Sequence, residues 1–277
     1  MQKFFQLAQE IANKYSKSPD VLAVVLGGSQ TTDDNDSMSD IDLYVYSEQI
    51  LSIEFRSSIA SDHSSKIEIN NIFWEPGDEW MDNETEIKVD VMFRTKEWIE
   101  DQLNKVLNLH EASIGYSTCF WDNILKSIIL FDKHGWFKQL QESSKRNYPL
   151  ALKKSIIKNN FPILTENNSC YLNQLRAAVK RNDAISIVHR ITAFLASYFD
   201  VLFAINEETH PGEKRLLDHV QKKCSKIPND FESLITQLLS VLSSYDSRIL
   251  DLTTQLGKNL KELLKQEQYF DSLYNQK

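Results

Sequence analysis

The stretch Val24-Val25-Leu26-Gly27-Gly28-Ser29, followed after a polar loop by Ser39-Asp40-Ile41-Asp42-Leu43, decides the interpretation of this sequence. Its first part is a short apolar run ending in small residues, a pattern typical of a buried strand that leads into a tight turn. In its second part apolar and polar residues alternate, so Asp40 and Asp42 fall on one face of a predicted strand. Small-residue turns can cradle phosphates through backbone N–H groups. We therefore predict that the nucleotide phosphates contact Gly27, Gly28 and Ser29.

A third acid, Asp90, interrupts the apolar run Ile87–Phe93. An aspartate in the middle of such a strand is unfavourable, and violations of this kind are expected at functional sites. Neighbouring carboxylates repel one another unless a cation neutralises them, and Mg²⁺ prefers hard oxygen ligands. For Asp40 and Asp42 alone, solvated acids on an exposed strand would be a sufficient explanation. Together with Asp90 and the small-residue turn, they predict Mg²⁺-dependent transfer of a nucleotide from a nucleoside triphosphate.

Composition limits the class of protein and of partner. The chain has 277 residues, 42% hydrophobic residues and a formal net charge of −8, as in a globular protein without a broad basic face for nucleic acid. Three cysteines without a paired spacing favour reduced thiols and a cytoplasmic location. No signal peptide is predicted, and no apolar stretch is expected to be long enough to span a membrane.

The pattern of apolar residues divides the chain into two parts. We predict an α+β domain over residues 1–135, with a short mixed sheet and flanking helices, followed by an all-α helical bundle over residues 136–277. The strands expected in the first part are 21–26, 40–46, 66–74, 87–93 and 128–131. In the second part, helices are predicted at 136–146, 149–159, 169–181, 184–205, 213–224, 230–244 and 247–274.

The Gly-Gly-Ser turn, the Asp-x-Asp pair and the later strand acid together resemble the DNA-polymerase-β-type nucleotidyltransferase superfamily. Size and layout are most similar to the aminoglycoside and lincosamide nucleotidyltransferases and to uncharacterised bacterial relatives, the latter in stretches such as 115–118 and 210–215. The resemblance implies that Asp40, Asp42 and Asp90 are the catalytic metal ligands of a two-Mg²⁺ site. It also implies that Asp90 accepts the proton of the acceptor hydroxyl.

A second candidate segment is His210-Pro211-Gly212-Glu213-Lys214-Arg215. Two cations in the first turn of the helix predicted at 213–224 oppose the helix dipole, and a bound anion would relieve that conflict. We therefore predict that Lys214 and Arg215 also bind the nucleotide, with solvated cations at a helix start as the alternative.

The acceptor is expected to be a small, cationic, hydroxyl-bearing compound of the aminoglycoside type, with ATP as the expected donor. The acidic stretch 75–86 would attract amines if it borders the site, although a solvated acidic hairpin loop is the simpler explanation. Two other functions stay open: nucleotidylation of a protein (AMPylation) and a catalytically inert nucleotide-binding module. Nucleic acid and membrane partners are not expected.

Overall fold

The computed structural model describes residues 2–27, 40–73, 75–243 and 247–269, and the chain forms two compact units. The first unit comprises Met1–Asn104 and Phe120–Arg146, and the second comprises Lys105–Cys119 and Asn147–Lys277. The first contains a sheet and helices, whereas the described elements of the second are helices. The predicted fold class, an α+β part followed by a helical part, is confirmed.

The first unit is organised around a mixed sheet of six strands in the order β3-β4-β5-β2-β1-β6. Strands β2 and β5 are parallel, and every other neighbouring pair is antiparallel. The strands are β1 (Val21–Leu26), β2 (Ile41–Ser47), β3 (Ile67–Asn71), β4 (Gly77–Met81), β5 (Lys88–Thr95) and β6 (Ile128–Asp132).

Alternation along β2 and β5 gives the sheet two different faces. The apolar residues of both strands, such as Leu43 and Val91, are fully buried on the back face, where α1 packs with Ile11 and Tyr15. The polar residues of both strands therefore lie on the front face. The helices of this unit are α1 (Gln2–Tyr15), α2 (Ile53–Ser61), α3 (Lys96–Leu107), α4 (Cys119–Lys126) and α5 (Trp136–Ser144).

The second unit packs its helices around α9 (Ala184–Ile205), whose residues Phe194, Tyr198 and Leu202 lie in its core. The other helices are α6 (Leu150–Asn160), α7 (Pro162–Thr165), α8 (Tyr171–Lys180), α10 (Leu216–Lys223), α11 (Phe231–Leu242) and α12 (Arg248–Gln266).

Helix α9 corrects the expectation that no apolar stretch is long enough to span a membrane. Its 22 residues have a mean hydropathy of 1.4 over the most apolar window, enough by length and composition to cross a bilayer. However, 61% of that window is buried inside the protein. The core helix of a globular unit meets the same criteria, so α9 is weak evidence for a membrane span.

Four elements differ from the sequence interpretation. Helices α2 and α7 and strand β4 were not among the predicted elements, and β4 occupies part of the acidic stretch for which a hairpin loop was the alternative. Helix α5, placed in the helical part by sequence, packs on β1 and β6 in the first unit.

Candidate active site

Two of the predicted metal ligands lie side by side on the front of the sheet. Asp42 on β2 and Asp90 on β5 are partners in the parallel register, where adjacent strands lie about 4.8 Å apart. The alternation that buries Ile41, Leu43 and Val91 turns both carboxyls to the same face. The structure thus brings together two acids that are far apart in sequence.

Asp40 lies just before β2 and is exposed, one position ahead of the Ile41–Val89 pair in the register. The electrostatic coupling of Asp40, Asp42 and Asp90 is visible in the third of these groups. The pKa of Asp90 is raised to about 6, first by burial and then by the negative charges of Glu79 and Asp42, with a smaller contribution from Asp40. The front face therefore holds acids whose mutual repulsion favours a bound cation.

The donor set suits a hard divalent cation, since three carboxylates supply the oxygen ligands that Mg²⁺ prefers. Among the described residues, however, no group of three or more His, Cys, Asp or Glu side chains is already arranged to hold a metal ion. The metal-ligand role of Asp40, Asp42 and Asp90 stays a prediction that rests on the Asp42–Asp90 register and on the shared charge.

Gly27, the first residue of the predicted phosphate-binding turn, lies next to this pair of acids. The backbone N–H of Gly27 donates to the Asp42 carbonyl oxygen at 2.9 Å. A Cβ on Gly27 would collide with the Tyr44 ring, so this position requires glycine because of a close approach and not because of its backbone angles. Gly28 and Ser29 lie outside the described residues.

Two charged residues that the sequence did not single out as site residues also face Asp90. Glu79 on β4 is the register partner of Asp90 on the side opposite Asp42. Its carboxylate accepts a hydrogen bond from Asn71 Nδ2 at 3.1 Å and forms an ion pair with Lys88 Nζ at 3.0 Å. The three acidic residues Asp42, Asp90 and Glu79 therefore form a row across β2, β5 and β4. The sequence signal for this row was weak, because an acid within β4 resembles a loop residue.

Beyond the acidic row, the front face carries an arginine enclosed by aromatic rings. The Arg94 guanidinium lies 4.3 Å from the Tyr44 ring centroid and 5.1 Å from that of Phe120. Its Nε and Nη2 atoms each donate to the Glu75 carboxylate at 2.9 Å. This ion pair connects Glu75, two residues before β4, to the front of β5.

These contacts correct the interpretation of the stretch 75–86 as a solvated loop or a broad amine-attracting surface. Glu75 pairs with Arg94, and the fully buried Asp78 pairs with the buried Arg56. Trp80 is buried and stacks on His63. Within this stretch Glu79 lies beside Asp90 on the front face, because the register pairs the two residues. Alternation places its neighbours Asp78 and Trp80 on the opposite face.

The segment containing Lys214 and Arg215 also differs from its prediction. Helix α10 begins at Leu216, so both cations precede the helix and do not occupy its first turn. Both are exposed, and Arg215 adopts the left-handed conformation with φ of 52°. The conflict with the helix dipole that motivated their assignment is therefore absent, and their nucleotide contact stays a prediction.

The two stretches that resemble bacterial relatives meet inside the second unit. The backbone N–H of His210 donates to Thr118 Oγ1 at 2.7 Å. The His210 ring packs against Tyr116 and Phe203, each with a centroid distance of 5.0 Å. Burial lowers the pKa of His210 to about 4, so this histidine is neutral at physiological pH and part of the packing.

An aspartate beneath the same segment is enclosed by hydrogen-bond donors. Asp200 Oδ1 accepts from the Ser117 backbone N–H at 3.0 Å, and Oδ2 accepts from Ser117 Oγ at 2.6 Å and Asn160 Nδ2 at 3.1 Å. Asn160 Oδ1 in turn accepts from the Gly115 N–H at 2.8 Å. Asp200 therefore fixes the turn that carries residues 115–118.

Comparisons with known proteins agree with the geometry of the first unit. Residues 6–112 match the family model of the nucleotidyltransferase domain. No curated protein sequence matches the chain.

A search of solved structures matches a nucleotidyltransferase-like protein from Exiguobacterium sibiricum 255-15, with 13% identity and a TM-score of 0.45 over 97% of this chain and 77% of that one. A Thermotoga maritima CCA-adding enzyme complexed with tRNA has 12% identity and a TM-score of 0.34, over 96% of this chain and 82% of that one. A CCA-adding enzyme in complex with ATP has 11% identity and a TM-score of 0.34, over 97% and 82% of the two chains.

The matched segment contains β1, β2 and β5, and with them Asp40, Asp42 and Asp90. The expected superfamily and the expected class of enzyme are thereby confirmed for this segment: residues 6–112 match a nucleotidyltransferase domain.

Proposed function

We propose that this protein is a Mg²⁺-dependent nucleotidyltransferase that moves a nucleoside monophosphate from a nucleoside triphosphate, ATP being the expected donor, to a hydroxyl of a small cationic acceptor. One observation carries the proposal: Asp42 and Asp90 are register partners on the open face of a sheet within a nucleotidyltransferase domain. The pKa of Asp90 is raised by burial and by the charges of Glu79, Asp42 and Asp40, whereas Lys88 lowers it, so acids predominate around this pair.

Asp40, Asp42 and Asp90 would hold the divalent ions. When bound, such ions neutralise the triphosphate and stabilise the charge that develops on the attacking and leaving oxygens. Asp90 has the properties of a proton acceptor near neutral pH, since a pKa of about 6 leaves it ionised yet basic enough to take the proton of an acceptor hydroxyl.

The phosphate side of the site is supported by Gly27. Its hydrogen bond to the Asp42 carbonyl fixes the end of β1 against β2. Any turn that starts at Gly27 therefore begins beside the acidic row, and its backbone N–H groups could bind phosphate oxygens there.

The cationic character of the acceptor is supported by charge. The chain has 39 acidic and 31 basic side chains, and a polyanion would be repelled over much of such a surface. Glu79 continues the row of acids past Asp90 on the side away from Asp42. An ammonium group of the acceptor could approach the row from that side, and such complementarity mainly affects encounter rate and selectivity.

The test is pyrophosphate release with each nucleoside triphosphate across a panel of aminoglycosides, other amines and sugars. Release that depends on both Mg²⁺ and one class of amine-bearing hydroxyl compound is expected. Asp42→Asn should abolish pyrophosphate release. Asp20→Asn, at an exposed aspartate, is the matched control and should leave the release unchanged.

Two results would change the assignment of the acceptor, and a third would contradict nucleotidyl transfer itself. Transfer of labelled nucleotide to a protein, with none to any small compound, would establish protein nucleotidylation. Transfer to tRNA or a DNA primer would contradict the proposed acceptor class. Tight nucleotide binding without transfer to any acceptor would favour an inert regulatory module.

A further inference from the structure

Lys88 brings a positive charge into the acidic front face. It lies two residues before Asp90 on β5, so both side chains emerge on the same side of the sheet. In the parallel register, the position beside Lys88 is that of Asp40, one residue ahead of the Ile41–Val89 pair. The Lys88 ammonium group therefore lies on the same face of the sheet as the predicted metal ligands.

The Lys88 ammonium group is held in place. Lys88 Nζ lies 3.0 Å from Glu79 Oε2, and the other oxygen of Glu79 accepts from Asn71 Nδ2 at 3.1 Å. Glu79 is thus anchored from β3 on one side and pairs with β5 on the other. The Lys88 and Glu79 side chains are 39% and 27% exposed, so their charges are only partly screened by water.

We propose that Lys88, which Glu79 holds in place, is a positioning residue that acts as a built-in counter-cation for the carboxylates of Asp40, Asp42 and Asp90. Its ammonium group competes with the divalent ion for these carboxylates. This inference rests on the proposed function, because it takes Asp40, Asp42 and Asp90 as the metal-binding set. In the metal-free protein, Lys88 offsets the repulsion between acids on neighbouring strands. A divalent ion that binds to the row must do so against the charge of Lys88.

The proposal predicts that Lys88 and Glu79 have opposite effects on the affinity for the divalent ion, although the two residues form one ion pair. Removing the Lys88 charge eliminates a repulsion toward the divalent ion and should strengthen its binding. Removing the Glu79 charge eliminates an attraction and releases Lys88, so it should weaken binding. If the pair served only to stabilise the fold, breaking it from either side would have the same consequence for binding.

The experiment is an electron paramagnetic resonance titration of Mn²⁺ alone into the full chain, which measures binding without requiring turnover. We expect Lys88→Gln to bind Mn²⁺ about 3- to 10-fold more tightly than the wild type, and Glu79→Gln to bind it about 3- to 10-fold more weakly. Lys88→Arg keeps the charge and should stay close to the wild type. Lys66→Gln, at an exposed lysine just before β3, is the matched control and should have no effect.

Thermal unfolding with and without saturating Mn²⁺ provides a second measurement. The increase in Tm caused by Mn²⁺ should be larger in Lys88→Gln than in the wild type, since a ligand bound to the native state stabilises it in proportion to its affinity. If Lys88→Gln fails to fold, the other two variants test the proposal. Weaker Mn²⁺ binding by Glu79→Gln together with unchanged binding by Lys88→Arg supports it, and any other result overturns it.

Equal Mn²⁺ affinity in the wild type, Lys88→Gln and Glu79→Gln would overturn the inference, as would shifts of both variants in the same direction. Asp42→Asn separates this failure from a failure of the proposed function. If Asp42→Asn abolishes Mn²⁺ binding while the Lys88 and Glu79 variants do not alter it, only the role of Lys88 is wrong. If Asp42→Asn binds Mn²⁺ as the wild type does, the metal site itself is wrong.

Discussion

Asp90 in the first unit and Asp200 in the second are both aspartates with a raised pKa, but their surroundings differ. The pKa of Asp200 rises to about 7 because the group is buried, and the donors from Ser117 act against that rise. The pKa of Asp90 rises to about 6 because burial is reinforced by neighbouring acids.

The difference shows how the role of an acid can be inferred from its neighbours. The two carboxyl oxygens of Asp200 accept hydrogen bonds from Ser117 and Asn160, which is the usual arrangement for a buried polar group that stabilises a fold. Asp90 has Glu79 and Asp42 as register partners, an arrangement of like charges that Lys88 offsets in part and that a bound divalent ion would relieve. We therefore propose a role in ligand binding for Asp90 and a role in stability for Asp200.

The largest expected effect is the loss of turnover in a variant of Asp42, the register partner of Asp90, because such a variant separates ligand binding from stability. Asp42→Asn should reduce turnover by about 10³-fold or more, because electrostatic stabilisation by bound metal is among the largest catalytic contributions. The free energy of unfolding should not fall, since the substitution relieves repulsion with Asp90. Pyrophosphate release and urea unfolding measure the two quantities. Near-normal turnover in Asp42→Asn would contradict a catalytic role for the acids beside Asp90 and so remove the contrast with Asp200.

The second prediction concerns Asp200. Asp200→Ala removes the acceptor of the Ser117 N–H and one acceptor each of Ser117 Oγ and Asn160 Nδ2, and it should lower the free energy of unfolding by about 2–4 kcal/mol. Ser117→Ala removes only the hydroxyl and should cost about 1 kcal/mol. Urea denaturation of both variants provides the measurement. An Asp200→Ala protein as stable as the wild type would show that this network does not stabilise the second unit.

A smaller effect is expected at Gly27, where the backbone approaches the Tyr44 ring. Gly27→Ala should lower the free energy of unfolding by about 1–3 kcal/mol, because the new methyl group collides with that ring. The cost should shrink in a Tyr44→Ala background, which removes the ring. A double-mutant cycle by urea denaturation measures this coupling. Additive effects of the two substitutions would place the cause elsewhere.

The smallest expected effect is the pH dependence of metal binding at Asp90. A divalent ion binds the ionised carboxyl, so Mn²⁺ affinity should fall as the pH drops below about 6. Between pH 7 and pH 5 the loss attributable to Asp90 should be roughly 10-fold. Asp90→Asn should bind more weakly and lose this part of the dependence. A wild-type affinity that is flat across this range would show that Asp90 does not ligate the ion.

The same group predicts an opposite trend for stability without metal. The pKa of Asp90 is higher in the folded chain than its ordinary value of 3.8, so the native state binds more protons than the unfolded state between about pH 4 and pH 6. Stability from this group is therefore present at low pH and lost as the pH rises through about 6. Thermal unfolding of the wild type and Asp90→Asn over this range, with a chelator present, measures the difference.

The parts of the site that could be predicted from sequence are those in which one strand carries its own signal. Alternation in 40–46 and 87–93 was sufficient to place Asp42 and Asp90 on polar faces, and the structure confirms those strands. Alternation does not specify which strands become neighbours. The pairing of β2 with β5 is set by the packing of the whole sheet.

Strand β4 could not be predicted in the same way because its acids are balanced by distant partners. Asp78 is tolerated at a buried position because Arg56 on α2 neutralises it, and the Arg56 guanidinium also lies 4.1 Å from the Phe93 ring centroid. Neither contact is visible in the local sequence. Without β4, the position of Glu79 beside Asp90 could not be inferred.

The parallel pairing of β2 and β5 has a consequence for how the protein acquires its site. Asp42 and Asp90 are separated along the chain by α2, β3 and β4, so their register forms only after a long loop has closed. Strands β3, β4 and β5 are consecutive antiparallel neighbours, and such local pairings form faster than distant ones. The meander would therefore assemble first, and the acids would come together only when β2 joins it. If Asp42 and Asp90 bind metal as proposed, both ligands would then be in place only after the sheet is complete.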